Sequence, residues 1–457
     1  MRWGIDCVRH RSGALRDSRC PNMVNTMLAV RNCRFAGRGA FTALLMMTAA
    51  CGLARAEPTL RDVLNAVQSG LVVRQSLQAE RSAEADVSSA DHAPLPILSG
   101  KLSQIDLQNG LGPGDPLGRK RIDKSIGVDW TWERGDKRLL RTRAAEHALS
   151  AARSDTAETA LQQMVAAQAA YYDWLGARER VRLMRETVTV AQEATRTAAR
   201  RRDAGDMSAQ DALRVEIDGE RVSADLESAT VDLERAELAL SAFVPRQALK
   251  SARVNDVVWP SLPALSADQP GSVVAAQLES RGDVRAAQSR IDAAKASVAG
   301  ALALRKVDPT WGLSIDHYPG VSNRLIELRV QIPLPLGYNY QGEIARAQSE
   351  LSQAELTAER ALRDARIEHD RLAAEARSQR ERAKKFREQI LPRAATVLKQ
   401  AEFAFARGAI PLTDLLDARR TQRSTQLDAL NAQLDAAKAE TALLLRSRPE
   451  LLVAAKP

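Results

Sequence analysis

Cysteine is nearly absent from this chain of 457 residues, and the four cysteines that occur all lie before residue 52. No two of them have the C-x-x-C spacing of a zinc site, so neither a zinc site nor a disulfide framework is expected. Aromatic residues make up only 4% of the sequence, whereas hydrophobic residues make up 45%, with alanine and leucine prominent. This composition favours helices packed closely on helices over a thick aromatic core.

Catalytic signatures are also missing. The sequence contains no G-x-S-x-G motif, no P-loop and no G-x-G-x-x-G motif. We therefore predict that the protein is not an enzyme and needs no cofactor or bound metal. The five histidines are scattered, and none stands near a carboxylate pair at metal-ligand spacing: His10, His92, His147, His317 and His369.

The positive charge is concentrated at one end. The net charge is +9, but residues 1–56 hold nine arginines and two aspartates and so supply seven of those charges. The rest of the chain mixes both signs along its helices, which is typical of solvated helix faces. We therefore predict no nucleic-acid partner.

Residues 1–56 have the pattern of a secretory signal peptide. A flank with three arginines precedes a short apolar run at 41–53, and an A-x-A cleavage site follows at 54–56. Translation from Met23 or Met27 is an alternative start, because the stretch before the apolar run is long. In a second interpretation, Cys51 is a lipidated N-terminus, although the usual leucine three residues before it is missing. No later segment has 18 consecutive apolar residues, so a membrane crossing would require closed β-structure.

The mature chain carries one structural unit twice. The hydrophobic pattern of each copy predicts a pair of strands, a very long helix, and a return helix after a glycine turn. In both copies the segment between the end of the strand pair and the glycine turn has almost the same length, from Gly135 to Gly205 and from Gly337 to Gly408. Such equal lengths indicate a duplication. We divide the chain into a signal peptide at 1–56, a first repeat at 57–244, a connector at 245–280, a second repeat at 281–447 and a tail at 448–457.

The predicted strands have one apolar and one polar face. In 125–133, Ile126, Val128, Trp130 and Trp132 alternate with polar residues, as a strand between lipid and water requires. A soluble sandwich strand shows the same alternation, but neighbouring tryptophans favour an interfacial girdle. The predicted membrane-interface aromatics are Trp130, Trp132, Trp311, Tyr338 and Tyr340.

The predicted helices are unusually long. The segment 137–203 would extend roughly 100 Å at 1.5 Å per residue, so neighbouring helices must support it as in a coiled coil. Pro392 should kink the second long helix, and we expect Leu213 and Leu233 on the inner face of the first return helix. The predicted helices are 58–92, 137–203, 207–244, 281–305, 341–406 and 411–446.

Three motifs carry a family resemblance. They are the helix start Arg-Gly-Asp-Val-Arg-Ala-Ala at 281–287, the strand exit Ile-Pro-Leu-Pro at 332–335, and Gly408 followed by Asp-Leu-Leu-Asp-Ala at 414–418. In this order, and with the duplication, the chain resembles the TolC family of outer-membrane efflux channels over about 58–446. The short connector resembles the CzcC-like components of heavy-metal efflux systems.

This resemblance implies a mainly α protein with membrane β-structure. Three identical chains would each give four strands to a twelve-stranded outer-membrane barrel, and their antiparallel helices would form a periplasmic tunnel. The turns at Gly205 and Gly408 would be the tip that docks on a periplasmic adaptor (membrane fusion) protein, which connects to an inner-membrane pump of the RND type. The function implied is a passive exit duct for heavy-metal cations or drugs, held in outer-membrane lipid.

The resemblance also implies an entrance gate. Aspartates at the positions of Asp414 and Asp417 ring the narrow periplasmic entrance in this family, and Asp211 matches a first-repeat tip aspartate. That aspartate is held by a basic residue two positions after the second glycine, where this chain has Ile410. We therefore expect other contacts to close the entrance.

Two alternative functions remain open from the sequence. The first is a periplasmic coiled-coil adaptor or structural protein without a pore, although an adaptor would have one hairpin between β-rich halves. The second is a secreted enzyme with a helical body, which the missing catalytic motifs disfavour.

Overall fold

The computed structural model describes residues 57–105, 108, 122–250, 259–261, 271–319 and 321–452. The predicted signal peptide lies outside the described residues, as do most of the loop at 108–122 and parts of the connector and tail. Where described, the chain is mainly helical and has one small sheet. The boundaries drawn between repeats, connector and tail stay a prediction.

The elements follow the predicted order. The first half contains α1 (Leu60–Val67), α2 (Leu71–Ala90), β1 (Ile97–Ser103), β2 (Asp123–Thr131), α3 (Lys137–Asp203) and α4 (Ala209–Leu240). The second half contains α5 (Arg246–Lys250), α6 (Gly271–Glu279), α7 (Gly282–Ala303), β3 (Thr310–Tyr318), β4 (Ser322–Gln331), α8 (Gln341–Lys385), a π-helical segment (Phe386–Ile390), α9 (Leu391–Ala406), α10 (Leu412–Ser447) and a 3-10 turn (Pro449–Leu451).

The first predicted helix, 58–92, is in fact two helices. A reciprocal cap starts α1, because the Asp62 N–H donates to the Thr59 hydroxyl while the Asp62 carboxylate accepts from the Thr59 N–H. The helix ends after Val67, and Gly70 has the extended backbone of a new helix start. A Cβ at Gly70 would lie 2.9 Å from the Val67 carbonyl oxygen, so glycine permits this tight break.

Helix α3 has the predicted bounds, 137–203. Its interior contains no proline, and its last turn carries Arg200, Arg201 and Arg202, whose positive charges favour a helix C-terminus. In α4, Leu233 is buried as expected, but the prediction for Leu213 was wrong because 55% of that side chain is exposed. This exposed position lies near the tip, away from the main core.

The main core lies where α1, α3, α4 and α10 meet. Tyr171, Tyr172 and Trp174 of α3 are buried there, and the Tyr171 ring contacts the other two. Trp259 of the connector stacks on Tyr172. Gly176 lets α3 approach α10 closely, since a Cβ there would lie 2.3 Å from a methyl of Leu434. Four of the aromatic residues thus lie together at one level of the helical body.

The expected kink at Pro392 takes another form. The π-helical segment Phe386–Ile390 precedes it, where the Leu391 N–H donates to the Phe386 carbonyl five residues back. Pro392 then stands in the first turn of α9, where no backbone N–H donor is needed. The extra residue of the π turn therefore accommodates the proline and lets the helical arm continue.

The four strands form one antiparallel sheet in the order β1-β2-β3-β4. Strand β2 of the first repeat pairs with β3 of the second, with Trp130 opposite Trp311. The sheet therefore joins the two repeats at the end opposite the glycine turns. In the part of the chain that the structure describes, no helix is both long and apolar enough to cross a membrane.

Candidate channel entrance and membrane-facing surface

The two glycine turns have the same geometry. Gly205 and Gly408 have positive φ angles of 82° and 71°, a conformation that favours glycine. In the first turn the Asp206 N–H donates to the Arg201 carbonyl at 2.7 Å, and the equivalent bond in the second turn measures 2.9 Å. Each long helix thus ends in a Schellman-type cap that reverses the chain.

Each turn is followed by a helix start that carries an aspartate. The Asp211 N–H donates to the Ser208 hydroxyl at 3.0 Å, and the Asp211 carboxylate lies 3.5 Å from Arg214. In the second repeat, the Thr413 hydroxyl donates to Asp414 at 3.3 Å. An aspartate in a first turn stabilises the helix dipole, so this placement has a local structural reason as well.

Arg420 connects the return helices of the two repeats. It lies 3.6 Å from Asp417 on its own helix α10 and 3.3 Å from Asp218 on α4. Asp218 is nearly buried, with 11% of its side chain exposed, whereas Asp417 is 73% exposed. The sequence did not predict this link. Asp218 follows Gly205 at nearly the same sequence distance as Arg420 follows Gly408, which places the two side chains at similar distances from the tip.

The predicted entrance aspartates lie at the starts of α4 and α10, just after the two turns. Among the described residues, no group of three His, Cys, Asp or Glu side chains could hold a metal ion. The ends of the hairpins are instead held by a small apolar cluster just above the turns. Its buried members are Ala198, Val215, Leu412, Leu415 and Leu416.

The opposite end of the molecule exposes a sheet face that is apolar over most of its length. Every second residue of the four strands points to this face, and the large apolar side chains on it are exposed. So wide an exposed patch marks an interaction surface. Its members are Leu98, Leu102, Ile126, Val128, Trp130, Trp311, Leu313, Ile315, Ile326, Leu328 and Val330.

The predicted interface aromatics gather at the strand ends nearest the helices. Trp132 is exposed one step beyond the pair formed by Trp130 and Trp311. The rings of Tyr338 and Tyr340 lie 5.8 Å apart, just before α8. The Tyr338 hydroxyl donates to Glu343 at 2.5 Å, and this bond lowers the pKa of that carboxyl.

The motif at 281–287, one of the three that carry the family resemblance, begins with an arginine that belongs to a chain of ion pairs between helices. Arg281 lies 2.8 Å from Asp283 and 2.7 Å from Glu368, while Arg446 lies 2.6 Å from Glu158 and 3.3 Å from Glu368. Burial opposes the charge on Arg281, but its hydrogen bonds to the two carboxylates raise its pKa above the ordinary value. The motif therefore fixes the start of α7 against α8, α10 and α3.

Comparisons with known proteins agree on one class. The family model of the outer membrane efflux protein matches residues 65–244. The cobalt-zinc-cadmium resistance protein CzcC of Cupriavidus metallidurans is 25% identical over 293 residues, which are 63% of this chain and 68% of CzcC. The fold matches VceC of Vibrio cholerae with a TM-score of 0.70 at 17% identity, over 85% of this chain and 95% of VceC. It matches CusC with a TM-score of 0.69 at 16% identity, over 85% and 92%.

The duplicated hairpins and the apolar four-stranded sheet thus define a TolC-like outer-membrane channel fold. Residues 65–244 carry the domain of the outer membrane efflux protein family, and the chain is similar to CzcC. The protein belongs in the cell outer membrane and extends into the periplasm. Members of this family are channels rather than enzymes.

Proposed function

We propose that three copies of this chain form the passive exit duct of a tripartite efflux system. An inner-membrane pump of the RND type would deliver cargo through a periplasmic adaptor, and the duct would carry it across the outer membrane. The apolar face of the four-stranded sheet is the observation that carries this proposal. One chain leaves this face uncovered, and lipid would cover it.

The sheet of a single chain also has two free edges. Within the described residues, β1 pairs only with β2 and β4 pairs only with β3. Exposed edges promote association, and a closed sheet removes them. Because strand directions alternate, β4 of one chain would meet β1 of the next in antiparallel fashion, and three chains would close a sheet of twelve strands.

The long helices of one chain also expose apolar residues at two opposite sides, on α4 and on α8 with α9. Ile217, Val231 and Leu238 are exposed on α4 at multiples of seven residues, the spacing of a coiled-coil seam. Ile367 of α8 and Phe403 of α9 are exposed on the other side of the layer. In a ring of three chains, α4 of one copy would pack against α8 and α9 of its neighbour.

The tip would then become the entrance and the docking site. The turns at Gly205 and Gly408 would meet the adaptor, and Asp414, Asp417 and Asp211 would each occur three times around the axis. Rings of aspartates concentrate cations at a constriction. Arg420 supplies a contact that would help to keep the entrance closed in the absence of a basic residue at Ile410.

The cargo we propose is divalent heavy-metal cations. Support comes from the similarity to CzcC, a protein named for cobalt, zinc and cadmium resistance. Drugs are the second candidate, because other members of the family serve drug efflux. The duct selects weakly, so the pump determines the cargo.

The assembly is tested on the mature protein purified in detergent. We expect a trimer by light scattering and stable conductance in planar bilayers. A monomer that stays soluble without detergent would contradict the proposal. For cargo, we expect a deletion strain to lose tolerance of cobalt, zinc or cadmium, and loss of tolerance to drugs alone would contradict the metal assignment.

Two adjacent substitutions test which sheet face meets lipid. Ile126→Arg places a charge on the apolar face and should cost about 2–4 kcal/mol of membrane insertion near the bilayer centre. Ser125→Arg places the same charge on the polar face and should insert normally. The trimer yield in outer-membrane fractions distinguishes them, and equal yields would refute the proposed orientation.

A further inference from the structure

An ion pair crosses the middle of the polar sheet face. Arg329 of β4 donates to Asp129 of β2 at 2.5 Å, although strand β3 runs between them. The residue of β3 in register with both is Gly312. A Cβ at Gly312 would lie 2.4 Å from the Asp129 carboxylate and 3.2 Å from the Arg329 guanidinium, so the missing side chain makes room for the pair.

The surroundings of this pair are polar and tightly packed. The hydroxyls of Thr131 and Thr310 lie 2.9 Å apart one row away. On the other side, Gly127 lies in register with Ser314, and a Cβ there would be 2.9 Å from the serine Cβ. The Ser314 hydroxyl in turn donates to Asp316, which is only 2% exposed. Because the neighbouring residues are small, the charged side chains can lie flat against the backbone of the sheet.

The charges on this face do not balance. Among the strand residues that the structure describes on this face, the acidic ones exceed the basic ones by two. By strand register, the polar face carries Asp123, Asp129, Asp316 and Glu327 against Lys101 and Arg329.

We infer that the Asp129–Arg329 pair sets the charge selectivity of the β-lined exit. This inference rests on the proposed closed duct, whose polar face would line the water-filled passage. The positive charge of Arg329 offsets part of the negative charge of this lining and so limits its preference for cations. Because Gly312 has no side chain, the Arg329 guanidinium lies against the backbone of β3. The cargo class that the lining favours is therefore cationic.

Substitution of the two members of the pair should shift the cation-to-anion permeability ratio in opposite directions. Arg329→Gln leaves Asp129 uncompensated, so the permeability ratio of cation to anion should rise. Asp129→Asn leaves Arg329 uncompensated, so the ratio should fall. The double variant removes both charges and should return close to the wild-type ratio, and Arg329→Lys should retain it. A merely structural pair would change stability without these opposite shifts.

Reversal potentials in planar bilayers measure this ratio. A KCl gradient between about 0.01 M and 0.1 M suits the test, because the Debye length then falls from about 30 Å to about 10 Å. Lys295→Gln is the control, since Lys295 pairs with Asp292 on the exposed surface of α7. If one single variant does not assemble, the other single variant and Arg329→Lys still decide the direction.

Opposite shifts of the two single variants, with an unchanged control, would support the inference. Unchanged ratios in a conducting channel would overturn it and leave the duct intact. A wild-type protein that forms no channel would overturn both the duct and this inference.

Discussion

The hydroxyl groups of Tyr172 and Thr441 lie 3.0 Å apart in the main core. The Thr441 hydroxyl donates to the Ala437 carbonyl, so Tyr172 is the donor in this pair. Tyr172 precedes Gly205 by the same sequence distance as that by which Thr441 follows Gly408. The outgoing helix of one repeat and the return helix of the other therefore run side by side at the same height above the tip.

This contact predicts alkaline destabilisation. Burial raises the pKa of Tyr172 to about 12 from an ordinary value of 10. Because the Tyr172 pKa is higher in the folded state than in the unfolded state, the neutral hydroxyl contributes to the free energy of unfolding. This contribution is complete below pH 10 and is lost as the pH rises to about 12. We expect Tyr172→Phe to cost about 1 kcal/mol at neutral pH and to flatten this loss.

Urea unfolding between neutral and alkaline pH measures both effects. Burial also raises the pKa of Tyr171, so the loss should be reduced in Tyr172→Phe rather than abolished. An identical pH dependence in the wild type and the variant would show that Tyr172 does not contribute.

Two helical glycines should respond in opposite ways to alanine. A Cβ at Gly176 would overlap three carbons of the buried Leu434 side chain, at 2.3 to 3.0 Å, so Gly176→Ala should destabilise the protein by about 1–3 kcal/mol. A Cβ at Gly300 would meet nothing within 4 Å, so Gly300→Ala should stabilise it by about 0.5–1 kcal/mol. Thermal unfolding compares them, and the same sign for both would contradict the packing of α3 on α10.

Local signals in the sequence predicted most of the fold. The helical periodicity and the absence of internal proline gave the full length of α3, and strict alternation gave β2 and β3. The break at Gly70 was missed because apolar spacing continues through it. The π turn before Pro392 was also missed, since proline alone predicts only an interruption and says nothing of how the backbone absorbs it.

The candidate site was predictable in part. A glycine between two long amphipathic helices predicted both turns, because few other residues adopt a positive φ there. The pairing of Asp218 with Arg420 was not predicted, since it depends on how each helix is rotated about its axis. Equal sequence distances from the two glycines give the height of a side chain but not the direction in which it points.

The aspartates of the entrance should govern cation block. We expect Asp414→Ala combined with Asp417→Ala to weaken the block of single-channel current by divalent or trivalent cations, because the proposed rings lose their charge. The exposed pair Lys295 and Asp292 of α7, neutralised together, serves as the control. Block of equal strength in both proteins would refute the role of these aspartates.

The link between the return helices should hold the entrance closed. Arg420→Gln leaves the nearly buried Asp218 without its ion pair and frees Asp417. We expect a higher conductance, because the hairpins can then separate more easily at the tip. A combined Asp218→Asn and Arg420→Gln variant should show the same increase without the buried charge. A conductance equal to that of the wild type in both variants would show that closure depends on other contacts.

The buried ion chain should be far more sensitive to substitution than an exposed pair. Glu158 accepts hydrogen bonds from Arg446 at 2.6 Å and from Gln162 at 3.0 Å in a nearly buried position. Glu158→Gln leaves Arg446 with the more distant carboxylate of Glu368, at 3.3 Å, so the loss of stability should approach about 3 kcal/mol. Glu359→Gln removes an exposed partner and should cost less than about 1 kcal/mol. Adding Arg446→Met to Glu158→Gln should recover part of the loss, because the buried guanidinium that has lost its 2.6 Å partner is then removed, while Glu368 keeps its ion pair with Arg281. A double variant less stable than Glu158→Gln would contradict this account of the ion chain.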